Sequence, residues 1–435
     1  MNTPRLALPT PGHLAWADAE VGVIIHLDVQ VFEPSYQFRQ QWGYTPAATV
    51  FQPRDLDTDQ WIEAARGAGA KYAVLVAKHC SGFSLWPTRA HPYSVAGTRW
   101  RQGKGDIVAD FVASCRRQGV LPGLYASASC NAYLKVDNPG RVRSGDPEEQ
   151  ARYNAVVVQQ LTELWSDYGE LFELWFDGGV LPVAKGGPDL VPLLQKLQPQ
   201  AVVFQGPRGC PLLRWVGNER GEAPYPCWST THVLSTDDGV SERLDLAGDP
   251  DGATWAPAES DMPNRDQHKA FQGGWFWRAG EDAHRYSLEH LLQRYYLSVG
   301  RNSNLLLGMV IDNRGLVPEA DTARFAEFGR AVRAAFATCL GRTSGAGNRV
   351  DLQLPAPAQV DHLVLMEDIA RGERVRRYRV EGLTPSGPAT LARGTCIGHK
   401  RIEPLPPTLV SALVLHLEEC AAAPLIREFA AYGRR

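Results

Sequence analysis

The chain has 435 residues, 44% of them hydrophobic and 21% charged, with a formal net charge of -3. That length allows two or three domains, or one large barrel with an appendage. The charge balance gives no case for a nucleic-acid partner, and there is no run of 18 or more apolar residues to span a membrane.

Residues 1–5 lack a basic stretch leading into an apolar core, so no Sec-type signal is expected and the predicted location is cytoplasmic. The eight cysteines are scattered without a CxxC pair, which predicts reduced thiols in a reducing compartment. Twelve tryptophans exceed ordinary usage. They serve either the core or the flat C–H faces of sugar rings.

Residues 21–26 form the first apolar run, ending at His26. A helix is predicted over 56–68, opened by Asp55 or Asp57. A second strand, 72–77, runs into Lys78-His79-Cys80. Helix 106–117, strand 120–125 and the long helix 147–168 follow. The next strand, 171–176, ends in Asp177-Gly178-Gly179, where a carboxylate is followed by two residues free to turn sharply. Helix 190–197, strand 201–204 and strand 213–216 come next, the last leading to Gly217-Asn218-Glu219. Residues 229–270 hold many Asp, Gly and Pro and are expected to be a long functional loop. Strand 274–277, helix 287–299, strand 304–309 and helix 322–336 close the series.

Eight strands alternating with helices predict a (β/α)8-like barrel over 1–340. Beyond it, period-2 runs at 350–354, 361–365, 375–380 and 409–417 predict an antiparallel β-sandwich over 341–435. No internal repeat is evident. The oligomeric state is not legible.

In a parallel barrel, polar residues at the C-terminal strand tips converge on the active-site mouth. His26, His79, Tyr125, Asp177, Asn218 with Glu219, and Trp275 with Trp277 all fall at or near such tips. A lone histidine there is more often a satisfied structural residue; the coincidence of several tips carries the argument. Two histidines and a carboxylate (His26, His79, Asp177) could make a metal triad. No close H-x-H or H-E-x-x-H pair accompanies them, so neither a metal nor another cofactor is expected. Phosphate-binding glycine motifs are absent.

The motifs together resemble glycoside hydrolase family 29, the α-L-fucosidases, and most closely its linkage-selective subgroup. The resemblance is carried in order by Val23-Ile24-Ile25-His26, Phe51-Gln52-Pro53 and Leu56-Asp57-Thr58-Asp59-Gln60-Trp61. The block from Gly69 through Lys78-His79 to Gly82-Phe83 and Leu85-Trp86-Pro87 follows, then Gly123-Leu124-Tyr125 and Glu173 to Gly178. It continues through Trp215-Val216-Gly217-Asn218-Glu219, Trp255-Ala256-Pro257-Ala258-Glu259, Gly274-Trp275-Phe276, Ser298-Val299-Gly300-Arg301-Asn302 and Gly394 to Gly398.

The resemblance implies a retaining exo-hydrolase acting on a carbohydrate substrate, with Asp177 as nucleophile and Glu219 as acid/base. His26, His79, Trp86, Tyr125, Trp175 and Trp275 would bind the sugar. The pattern is departed from at Leu27 and Asp28, and at Cys80 and Ser81, where a second histidine and an acidic residue are usual. Those departures admit a related α-L-sugar such as L-galactose as an alternative substrate. A non-catalytic sugar-binding protein, and a metal-dependent hydrolase or lyase on the same barrel, are the readings from other classes.

Retaining hydrolysis needs two carboxyl groups about 5–5.5 Å apart. Asp177 is short and stands at a strand tip. Glu219 lies between Gly217 and Gly221, with Trp215, Trp228 and Trp275 expected as apolar walls. Glu259 competes for the acid role, and Glu222 more weakly.

Overall fold

The computed structural model describes residues 6–36, 44–232 and 246–434. The stretch read for a targeting signal lies outside them, as does part of the predicted 229–270 loop. None of the described helices is long and apolar enough to cross a membrane.

Eight parallel strands close into a barrel. They are β1 (Val21–His26), β2 (Tyr72–Lys78), β3 (Leu121–Ala126), β4 (Glu173–Trp175), β5 (Val202–Phe204), β6 (Leu212–Trp215), β7 (Ala258–Met262) and β8 (Ser303–Val310). Each pairs with its sequence neighbours, and β8 returns to pair with β1. Both faces of these strands are buried, which is why all but β7 read as largely apolar runs. Val23, Ile25, Ala73, Leu75, Leu305 and Leu307 face the surrounding helices. Ile24, Tyr72, Val74, Trp175, Phe204 and Leu306 fill the barrel interior.

Helix α1 (Pro11–Ala19) precedes β1, capped by Thr10 with Pro11 at its first turn. Its Trp16 and Ala17 join the interior cluster and plug the lower end of the barrel. The outer helices are α2 (Thr58–Gly67), α3 (Ile107–Gln118), α4 (Pro147–Ser166), α5 (Val191–Leu197), α6 (Leu288–Ser298) and α7 (Glu319–Ala335). Asp57, Asp106, Asp146 and Ser287 cap four of them, accepting from the orphan N–H groups of the first turn. Among the described residues no helix follows β5 or β6.

Two predicted elements are corrected. The region 229–270 is not all loop, because it contains β7. Its Glu259-Ser260-Asp261 core looks like a turn in sequence. It is a strand because the two inward carboxyl groups find donors inside the barrel. Conversely, 274–277 is no strand. A 3-10 turn occupies Phe271–Gly274, with Gln272, Gly273 and Gly274 in the left-handed region. The strand count of eight survives with one member exchanged.

The last barrel helix ends at Ala335 and the C-terminal sheet starts at Cys339. Its six antiparallel strands are β9 (Cys339–Ala346), β10 (Arg349–Glu367), β11 (Val375–Thr384), β12 (Gly387–Gly394), β13 (Arg401–Cys420) and β14 (Leu425–Arg434). The two long strands each serve two layers. The first half of β10 pairs with the second half of β13, which also carries β11 and β12. The second half of β10 pairs with β14 and the start of β13, and β14 pairs with β9. The crossing points are bulges bearing Pro355 and Pro357 on β10, and Pro404, Pro406 and Pro407 on β13. Proline is tolerated in a sheet at just such interruptions, and bulged strands that change layer form the corners of sandwiches. An added Cβ at Gly341 on β9 would meet Leu352 and Leu354 on β10, so the two layers are in contact.

Candidate active site

Asp177 stands one residue beyond Phe176 at the upper end of β4. Tyr125 Oη donates to its Oδ2 at 2.9 Å. Its main-chain oxygen accepts from the Ser129 hydroxyl, and the following Gly178 N–H donates to Gln205 Oε1 at 2.9 Å. Gly178 and Gly179 have φ of 71° and 79°. The two glycines therefore turn the chain away at once, leaving the carboxylate at the strand tip.

Four rings stack across successive strand tips beside it. His79 lies 5.8 Å from Tyr125, Tyr125 lies 5.3 Å from Trp175, and Trp175 lies 4.0 Å from Phe204. His26, at the end of β1, sits 6.2 Å from His79 and 5.0 Å from Trp275. Phe276 packs edge-on against both histidines, at 5.2 and 5.1 Å. Burial lowers the His26 pKa to about 3, so its imidazole is neutral at ordinary pH. A neutral imidazole offers one donor and one acceptor, as sugar hydroxyls require.

Glu219 is exposed on the loop after β6. Trp275 Nε1 donates to its Oε2 at 3.2 Å. Trp275 gains its place because Gly308 has no side chain; a Cβ there would come within 2.9 Å of the indole. Gly217 and Gly221 take positive φ on either side of Glu219, and the Gly221 N–H bonds to Asp261 O at 3.0 Å. The loop is thus pinned to β7 while the carboxylate projects into the mouth.

The structure brings His26, His79, Tyr125, Trp175, Trp275, Asp177 and Glu219 into one continuous network. It does not bring Trp86 there. Trp86 is buried below the β2 loop, donating its indole N–H to Glu163 of α4 at 2.8 Å. Trp228 is also elsewhere, buried with the Arg376 guanidinium over its ring at 4.9 Å. Glu222 is paired to Arg294 at 2.8 Å. Glu259 lies fully buried in the barrel interior, accepting from Tyr72 Oη at 2.8 Å and Trp175 Nε1 at 2.9 Å.

Sequence reasoning passed over Asp261, Gln205, Ser129 and Phe276. Asp261 accepts from Trp215 Nε1 at 2.7 Å, and its pKa is raised well above the usual carboxyl range by burial and then by the nearby Glu219 charge. The alternation of Glu259 and Asp261 with Ser260 and Met262 was the available signal, since positions two apart share a strand face.

The departing positions are used internally. Asp28 accepts from Ser81 Oγ at 2.8 Å and from the Val29 N–H at 2.7 Å. Cys80 is bonded to Cys130, joining the loops after β2 and β3. This corrects the expectation of eight thiols: the Cα atoms are 5.0 Å apart, a separation that suits a bridge. Cys115, Cys210, Cys227, Cys339, Cys396 and Cys420 are free. His79, Cys80 and Asp177 bring ligand-type atoms within 4.8 Å of one another. With Cys80 sulfur committed to the bridge, that trio lacks the thiolate a soft metal would take.

The family model for alpha-L-fucosidase matches residues 16–334. A protein of Oryza sativa subsp. japonica named "Putative alpha-L-fucosidase 1" is 32% identical over 99% of this chain and 86% of its own length. The chain belongs to the alpha-L-fucosidase family. It is also similar to alpha-L-fucosidase 1 of Arabidopsis thaliana, 33% identical over 78% of this chain and 63% of that protein. A crystal structure from Bacteroides thetaiotaomicron VPI-5482, described as a "putative alpha-L-fucosidase", is 36% identical. It covers 99% of this chain and 100% of its own, with a TM-score of 0.92. The barrel and appended sandwich are therefore those of a family of glycoside hydrolases, and the network above lies at the mouth of that barrel.

Proposed function

We propose that the chain is a retaining exo-glycosidase that removes terminal α-L-fucosyl residues from oligosaccharides or glycoconjugates, as a member of the linkage-selective subgroup. The observation that carries the reading is the Asp177 carboxylate held at the β4 tip by Tyr125, in one network with a second carboxylate, Glu219, on the loop after β6.

The chemistry is a double displacement. An Asp177 oxygen attacks the anomeric carbon as Glu219 gives its proton to the departing glycosidic oxygen. The glycosyl–Asp177 ester is then opened by water, with Glu219 taking the water's proton, and configuration is retained. Tyr125 lends its O–H to the nucleophile's second oxygen and steadies it between the two steps. His26 and His79 present ring nitrogens to the sugar's hydroxyls, and Trp275 orients Glu219 while offering an apolar face.

A second reading on the sugar is favoured by one observation. Cys80 is spent on a disulfide and Ser81 on Asp28, so neither side chain offers the sugar the polar partner expected at those places. A site rejects a substrate strongly when donors go unmatched, and only weakly when a substituent is added. An α-L-galactoside, with its extra hydroxyl, is the alternative substrate.

The cytoplasmic location stays a proposal, and the Cys80–Cys130 bond bears against it because such bonds persist mainly in oxidising compartments. The test of function is kcat/KM on aryl α-L-fuco-, galacto-, gluco- and rhamnosides, with the product anomer followed by NMR. Turnover of fucoside with a retained first product supports the proposal. An inverted product, or turnover of none of the four, overturns it.

A further inference from the structure

We propose that Glu259 is a positioning residue for this reaction: from inside the barrel it fixes the Trp175 indole, and through the Trp175–Tyr125 stack it fixes the Asp177 carboxylate. The inference rests on the reading of Asp177 as nucleophile.

Glu173, Trp175 and Asp177 share the inward face of the β4 segment, at increasing height. Glu173 is fully buried, Trp175 nearly so, and Asp177 opens to the mouth. Glu259 reaches this column from β7, which pairs only with β6 and β8. Its carboxylate takes Tyr72 Oη from β2 and Trp175 Nε1 from β4. One side chain therefore ties together three strands that do not adjoin. Space for the tie comes from Gly22, where a Cβ would lie 2.3 Å from the Tyr72 ring.

Barrel interiors are ordinarily filled by branched apolar side chains. A carboxyl pair in that position carries a desolvation cost. Burial and the neighbouring Glu259 charge push Glu173 well above the ordinary carboxyl range. Burial raises the Glu259 carboxyl as well, and it is the member of the pair that receives both donors, Tyr72 Oη and Trp175 Nε1.

The hydrogen bond from Trp175 Nε1 to Glu259 does what stacking alone cannot. Tyr125 and Phe204 on either side of Trp175, at 5.3 and 4.0 Å with interplanar angles of 19° and 3°, fix the plane of the indole. Face-to-face contact resists a shift within that plane less than a tilt out of it. The N–H bond to Glu259 restrains that shift. Tyr125 is packed between this ring and His79, and its hydroxyl is the donor to Asp177. Loss of the tether reaches the nucleophile as a loosened Tyr125.

The test is a double-mutant cycle on an aryl α-L-fucoside with Glu259→Gln, Tyr125→Phe and the pair, alongside Trp175→Phe, which keeps a ring but loses the N–H. Thermal melts select folded variants. Each single change is expected to lower kcat about tenfold, as for loss of one hydrogen bond, with KM nearly unchanged. The pair is expected to lose little more than the worse single variant. Multiplicative losses in the pair, or losses confined to KM, overturn the proposal. If Glu259→Gln fails to fold, the Trp175→Phe/Tyr125→Phe cycle carries the same decision. Asp177→Asn run beside them separates the two readings: persistent turnover there removes the nucleophile assignment, whereas a dead Asp177→Asn with a multiplicative cycle removes this inference alone.

Discussion

The Trp275 indole N–H meets Glu219 Oε2 at 3.2 Å, and the same ring lies 5.0 Å from His26. A loop residue after β6 is thereby joined to the tip of β1 on the far side of the mouth. Gly217 and Gly221 turn the Glu219 loop, the Gly221 N–H ties it to β7, and the indole contact orients the carboxylate. Glu259, by contrast, is enclosed by the barrel and has no route to a glycosidic oxygen.

The first prediction separates those two glutamates. Glu219→Ala should lose about 10²- to 10⁴-fold in activity on a substrate with a poor leaving group, the usual span for a general acid. It should keep far more on a dinitrophenyl glycoside, which departs without a proton. Azide should restore turnover and yield a glycosyl azide of the substrate's configuration, since azide needs no general base. Glu259→Ala should show a loss that azide does not repair. Azide rescue of Glu259→Ala alone would transfer the acid role to that residue.

The nucleophile is tested by Asp177→Asn, which keeps the shape and removes the charge. A fall of at least about 1000-fold in kcat is expected, with the melting temperature close to wild type. A 2-fluoro glycosyl inactivator should add its mass to the wild-type peptide spanning residues 171–179. Activity within tenfold of wild type in the Asn variant would end the assignment.

The Cys80–Cys130 bond closes a loop of 50 residues. Cys130→Ser should therefore lower unfolding free energy by about 2–4 kcal/mol in a urea titration. Alkylation of the denatured, unreduced protein should mark the six free cysteines, and all eight after reduction. Eight labels before reduction would show that the bond does not form.

Buried neutral histidines predict acid lability. Burial lowers His26 and His399 to about 3, and His13 and His91 to about 4. Unfolded, each would take a proton near pH 6.5. Their contribution is thus present above pH 6.5 and is lost as pH falls toward 4, at about 1.4 kcal/mol per pH unit for each proton. Melting temperature should fall steadily from pH 7 to 4.5, and His91→Gln should flatten the fall by about one proton. A level profile over that range would contradict the burial argument.

Where the sequence misleads, the reason is physical. The seven strands read correctly as barrel walls carry apolar residues on both faces, and so announce themselves. Ala258–Met262 does not, because Glu259 and Asp261 point inward and are satisfied by Tyr72, Trp175 and Trp215, residues distant in sequence. The run Trp275-Phe276-Trp277 shows the converse: Trp275 and Phe276 pack on the histidines of the mouth rather than forming a wall. Trp86 and Trp228 share a residue type with Trp275, yet Glu163 and Arg376 hold them away from the site. The pairing of Asp28 with Ser81, and of Cys80 with Cys130, links positions 53 and 50 residues apart. No local pattern encodes such pairs.

Glu373, in the segment leading into β11, is buried against the barrel. It accepts from the Ser229 N–H and hydroxyl at 2.9 and 2.6 Å, and from Asn302 Nδ2 at 2.6 Å. Asn302 is itself held at a φ of 61°, just before β8. Strip away the sandwich and this asparagine keeps only its barrel-side acceptors, Cys227 O and Ser229 Oγ, while the Ser229 N–H and hydroxyl lose the carboxylate that receives them. The barrel is consequently no portable cassette. A chimaera that grafts it onto a foreign β-domain would have to deliver a carboxylate to that same point, or accept a misplaced final strand beneath the catalytic mouth.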